Sequence, residues 1–92
     1  MKGSLKLAAC LDTLATKRLA SDLASHRGHS LTLDAAEVTF LGTLSLQVLL
    51  AAHRQWRIDG KAFQIANPSA AFLDGVAVLG SDPAALGAEV TP

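Results

Sequence analysis

The stretch Leu31-Thr32-Leu33-Asp34-Ala35-Ala36-Glu37-Val38-Thr39-Phe40-Leu41-Gly42-Thr43-Leu44-Ser45-Leu46 decides the fold. Its first four residues alternate apolar and polar, the period of a half-buried strand, so a strand is predicted over 30–34. After a polar break at 35–37, Val38-Thr39-Phe40-Leu41 extends that strand. Gly42-Thr43-Leu44-Ser45 then interrupts the pattern. From Leu46 to Arg57 apolar residues return at helical spacing, with Leu46, Leu49, Leu50 and His53 along one face. Apolar residues nearly surround the first two turns, and deep burial is expected there. Asp59-Gly60 closes the helix.

Strand and helix alternate on both sides of this stretch. Upstream, 4–11 reads as one strand with Leu5 and Leu7 on one face. Asp12 or Thr13 offers an N-cap. Leu14, Ala15, Leu19, Leu23 and Ala24 form a helical stripe that Gly28 ends. Downstream, 61–66 reads as a strand with Phe63 and Ile65 on one side. Asn67-Pro68 terminates it, because proline drives the preceding residue out of helical geometry. Ser69 is a plausible cap for a third helix, with Phe72, Leu73, Val76 and Leu79 on its buried side and Gly80 at its end. The order strand-helix-strand-helix-strand-helix predicts an α/β domain: a mainly parallel sheet of about four strands with helices packed on it. Residues 1–92 are read as one domain, with its core at 4–80 and a weakly patterned tail at 81–92 that holds a short turn at 83–86.

Composition narrows the function classes. Half of the residues are hydrophobic and 17% are charged, which places the chain among globular domains rather than disordered ones. Three Phe, one Trp and no Tyr leave the core to Leu, Val and Ala. Eight basic and eight acidic residues cancel, and no basic stripe appears, so nucleic acid is not expected as a partner. Cys10 is the only cysteine, which excludes an internal disulfide and a cysteine-based metal site; its apolar surroundings suggest a buried thiol. No apolar run approaches the length of a membrane span, and a cytoplasmic location is expected. His26, His29 and His53 lack the spacing of a ligand set, so no metal is assigned. No nucleophile elbow, phosphate-binding glycine loop or paired carboxylate is present, so no catalytic residue and no cofactor are assigned and an enzyme is not expected.

Several segments together resemble the STAS family (sulfate transporter and anti-sigma factor antagonist). The family carries a strand ending in Leu-x-Leu-Asp, then Val-x-Phe-hydrophobic, then Asp-Ser-Ser/Thr-Gly-Leu opening a helix. Here Leu31-Thr32-Leu33-Asp34, Val38-Thr39-Phe40-Leu41 and Gly42-Thr43-Leu44-Ser45-Leu46 stand in that order. Leu11-Asp12 is similar to the family's Gly-x-Leu-Asp before its first helix, and Phe63-Gln64-Ile65-Ala66-Asn67-Pro68-Ser69 to the strand leading into its third. The resemblance covers 4–80 and implies a small STAS-like α/β domain. It further implies a non-enzymatic regulatory module that docks a protein partner, such as an anti-sigma factor, a kinase-like protein or another signalling protein. Asp34, Gly42, Thr43, Leu44 and Ser45 are the implied partner-binding residues, and Thr43 falls on the phosphorylated hydroxyl of the anti-sigma factor antagonists. The family's acidic residue before that hydroxyl is Gly42 here, its second hydroxyl is Leu44 and its glycine is Ser45. A second implied reading is an accessory subunit of an ABC-type lipid transporter, or a constitutive adaptor without phosphorylation.

Taken by themselves, these residues keep bland readings open. Thr43 either caps the helix, carries a phosphate whose roughly two negative charges a helix N-terminus would tolerate, or touches a partner directly. Ser45 competes for the cap. Asp34 either borders Thr43 on the partner surface or caps the turn after its strand. Trp56 either packs in the core or anchors an interface. An exposed sheet edge could also pair two copies of the chain into a homodimer.

Overall fold

A computed structural model describes residues 3–80. Strands and helices alternate as β1 (Gly3–Lys6), β2 (Cys10–Leu11), α1 (Thr13–Ser25), β3 (Leu31–Asp34), β4 (Phe40–Leu41), α2 (Thr43–Ile58), β5 (Phe63–Ala66) and α3 (Ala70–Val78). β1, β3 and β5 form a parallel sheet in the order β1-β3-β5. β2 and β4 form a separate two-stranded parallel ladder. The α/β class and the parallel pairing are as the sequence predicts, with the strands divided between two ladders rather than held in one sheet.

Register explains which face is buried. Gly3, Leu31 and Phe63 stand side by side, as do Leu5, Leu33 and Ile65. Leu31, Leu33, Phe63 and Ile65 are buried, while Ser4, Lys6, Thr32, Asp34, Gln64 and Ala66 on the other face are not. A parallel sheet with one face left polar reads as alternating sequence, which is why the period-two signal was clear. Helices α1 and α2 lie side by side against the apolar face. Trp56 of α2 tilts onto Phe63 with ring centroids 5.6 Å apart, and His53 meets the same ring edge-on at 5.8 Å. The Trp56 indole N–H donates to the His29 carbonyl at 2.8 Å, so this tryptophan is a packing residue and its one polar atom is satisfied.

Four sequence expectations need correction. The strand expected over 4–11 is two strands. Leu7 N–H still bonds the Asp34 carbonyl, but β2 then leaves the sheet to pair with β4. Val38-Thr39-Phe40-Leu41 does not extend β3: Ala35 accepts from Val38 N–H in a turn, and only Phe40–Leu41 is strand. Cys10 is exposed rather than buried, because alternation along β2 turns Leu11 inward and Cys10 outward. The buried stripes were also drawn too wide, since Leu14 is 79% exposed and Leu79 lies at the surface. The short turn expected at 83–86 lies outside the described residues.

Helix ends follow local chemistry. Asp12 caps α1 by accepting from Ala15 N–H at 3.0 Å, and Ser69 caps α3 by accepting from Phe72 N–H at 3.0 Å. Ser69 Oγ also donates to the Val38 carbonyl at 2.6 Å, fastening the start of α3 to the segment before β4.

Candidate functional site

The β2–β4 ladder is only two residues long on each side, yet it fixes the site. β2 runs into α1 through Asp12, and β4 runs into α2 through Gly42. Pairing Cys10 with Phe40 and Leu11 with Leu41 therefore sets two helix N-termini next to each other. Thr39 N–H bonds the Ala9 carbonyl at 2.7 Å, and Gly42 N–H bonds the Leu11 carbonyl at 3.0 Å. A lock between the helices reinforces this. Ser45 Oγ lies 2.5 Å from Thr16 Oγ1 and 3.2 Å from the Leu11 carbonyl.

The sequence candidates separate into two groups. Gly42, Thr43 and Leu44 come together at the surface where α2 begins; Thr43 and Leu44 are exposed. α2 thus starts three residues earlier than periodicity suggested; Leu46, Leu49 and Ala52 are buried as expected, and the added turn at its start is open, with Leu44 50% exposed. Ser45 leaves the proposed contact set. It is fully buried, and its hydroxyl is spent on Thr16 and Leu11. Asp34 stands apart from this group: its Oδ1 accepts from Ala36 N–H at 3.0 Å, and it lines neither hollow that flanks Thr43. Thr43 does not cap α2 either. The N-cap is Gly42, which offers no side chain, so the first turn of α2 keeps donors that no side chain satisfies.

Gly42 is held to glycine by space. A Cβ there would stand 2.9 Å from the Leu11 carbonyl oxygen, a backbone atom fixed in the ladder. Its φ of −84° suits any residue, so crowding and not torsion is the constraint.

Phe40 is the site residue that sequence reasoning missed. The sequence places it only within the Val38–Leu41 segment, and it is 51% exposed beside Thr43. The available signal was alternation: with Leu41 turned in, Phe40 must turn out. Phe40, Gly42 and Thr43 form a ridge between two hollows. One, about 330 Å³, opens toward α3 and is bounded by Asp74, Gly75 and Val78. The other opens toward α1 and is bounded by Asp12, Thr16 and Leu44. Such a surface can bury apolar side chains of a partner.

A larger hollow, about 460 Å³, lies elsewhere, along β1 and α1, with Leu5, Leu7, Ala15 and Leu19 in its walls. Lys6 and Glu37 pair at its rim. The hydrogen bond and charge of Glu37, with a smaller contribution from Asp34, hold the Lys6 amino group above its ordinary pKa.

Comparison with known proteins agrees with this geometry. The family model described as "Mlab, STAS domain" matches residues 2–87. The chain belongs to the STAS domain family. No curated protein and no solved structure gave a significant match. Thr43 stands exposed at the first position of α2. Among the described residues no helix is long and apolar enough to cross a membrane.

Proposed function

We propose that this STAS domain is a non-enzymatic regulatory module that docks a protein partner through the start of α2. The observation that supports this reading is the exposed group Phe40, Thr43 and Leu44, carried by β4 and the start of α2, which the β2–β4 ladder and the Ser45–Thr16 lock hold against α1. Exposed aromatic and aliphatic side chains on a rigid support lose little entropy on burial, which is what an interface anchor requires. The partner is an anti-sigma factor, a kinase-like protein or a comparable signalling protein, met in the cytoplasm. Phosphorylation of Thr43 is the proposed control. About two negative charges there would be tolerated by the uncapped first turn of α2, while blocking an apolar contact at Phe40 and Leu44.

A second reading has its own observation. Gly42 stands where the phosphorylated relatives have an acid, and a Cβ at Gly42 would press on the Leu11 carbonyl. A site that excludes this acid fits a constitutive adaptor, such as an accessory subunit of an ABC-type lipid transporter, using the same surface without modification. Intact-mass spectrometry of the protein from its native cells, with peptide mapping across 34–54, tests the two. Phosphate on Thr43 supports the switch. An unmodified chain under all growth conditions, together with copurification of a transporter ATPase, supports the adaptor.

A further inference from the structure

The two hollows beside Phe40 are lined by Phe40, Leu41, Leu44 and Val78 together with threonines, and each carries one carboxylate. Phe40, Leu44 and Val78 are at least half exposed, Val78 at 84%. Asp74 stands at the α3 end and Asp12 at the α1 end. Both are exposed, and among the described residues neither carboxylate is in an ion pair. Asp12 spends one oxygen on Ala15 N–H, whereas no side-chain hydrogen bond is seen for Asp74 among the described residues. No Lys or Arg lines either hollow among the described residues.

That charge pattern selects among occupants. A segment with acidic flanks would meet Asp12 and Asp74 with like charge, and a nucleic acid or anionic bilayer would be repelled in the same way. A wholly apolar segment would gain nothing from either carboxylate. We infer that the Phe40 ridge and the two hollows that flank it take an amphipathic helical segment of the partner protein, its apolar stripe on Phe40, Leu44 and Val78 and its Lys or Arg flanks on Asp12 and Asp74. This rests on the docking reading above and adds the chemistry of the partner. Helix-in-groove recognition supplies affinity through the apolar anchors, and the rim charges supply orientation and rate.

The test is titration of the ¹⁵N-labelled protein with two synthetic helical peptides that share one Leu/Phe stripe, one with Lys/Arg flanks and one with Glu flanks. The basic peptide is expected to shift the amides of Phe40, Thr43, Leu44, Asp74 and Val78, and to bind more tightly at low salt. Asp74→Lys should weaken the basic peptide about fivefold and favour the acidic one, the size expected for an exposed charge pair. Asp74→Asn should fall between them. Asp74 is a surface residue, and an unchanged spectrum of each free variant shows that the fold is kept. Equal binding of both peptides, preference for the acidic one, or shifts confined to the β1–α1 hollow would overturn the inference. The acidic peptide binding at Phe40 would overturn only the basic assignment and leave the docking face standing. Absence of binding by either would also overturn it, while the docking reading would then be decided separately by crosslinking from Phe40.

Discussion

The Ser45 hydroxyl lies 2.5 Å from the Thr16 hydroxyl, fully enclosed between α1 and α2. Thr16 Oγ1 lies within donating distance of the Asp12 carbonyl at 2.8 Å and Ser45 Oγ of the Leu11 carbonyl at 3.2 Å, and either hydroxyl can supply the proton between them. One buried hydroxyl therefore ties β2, α1 and α2 together directly beneath the exposed residues of the site. Ser45→Ala should lower stability by about 1 kcal/mol, the net worth of the lost hydrogen bonding, because the Leu11 carbonyl keeps its bond from Gly42 N–H, whereas Thr43→Ala should stay within about 0.5 kcal/mol. Urea denaturation of the two variants separates a structural Ser45 from a surface Thr43.

Gly42→Asp introduces the acidic residue that the STAS resemblance implies at this position, and aspartate is ordinarily a good N-cap. Here the sign should reverse. The Cβ contact with the Leu11 carbonyl opposes the cap, and overpacking of this kind costs about 1–3 kcal/mol against the roughly 1 kcal/mol a cap contributes. A lower denaturation midpoint for Gly42→Asp is expected, with Gly42→Ala lower still because it adds the crowding without the cap.

Trp56 is 2% exposed and is the sole tryptophan of the chain, so its fluorescence reports directly on unfolding. Trp56→Phe keeps most of the packing against Phe63 and leaves the His29 carbonyl without its donor, a loss of about 1 kcal/mol. Trp56→Ala should cost about 3–5 kcal/mol, a large share of the stability of so small a domain, and circular dichroism should show a largely unfolded chain at 37 °C.

Lys6 should titrate above ordinary lysines, because Glu37 favours its charged form. The raised value means that the pair stabilises the fold fully below the ordinary lysine pKa, and that the contribution fades as pH rises through the Lys6 value. Both side chains are exposed, so the effect on stability is small and salt-sensitive. Side-chain NMR titration should find the Lys6 value moving down toward the ordinary one in Glu37→Gln.

Much of this architecture was legible in the sequence because one face of the sheet is polar. Leu31, Leu33, Phe63 and Ile65 alternate with Thr32, Asp34, Gln64 and Ala66, and that alternation carries the strand signal. Ser69 marked the start of α3 by its own side chain. The β2–β4 ladder escaped notice because two residues are too few to show a period. It is specified instead by pairing between segments about thirty residues apart, which local pattern cannot report. The start of α2 was missed for a related reason: its cap is a glycine, which carries no capping side chain. Thr43 was found through resemblance. Phe40 and Asp74 join it only once α3 is folded back toward β4, where Gly75 lets the helix come close to Leu41.

The central claim is that the start of α2 docks a protein partner. A photocrosslinking residue placed at Phe40 tests it most directly, with a second placed at Ile58, which is 71% exposed at the far end of α2. In native cells the account predicts one discrete crosslinked protein from position 40, identifiable by mass spectrometry, lost in Thr43→Arg while the fold is retained, and absent from position 58. Crosslinks of equal yield from both positions, or a position 40 adduct indifferent to Thr43→Arg, would contradict it.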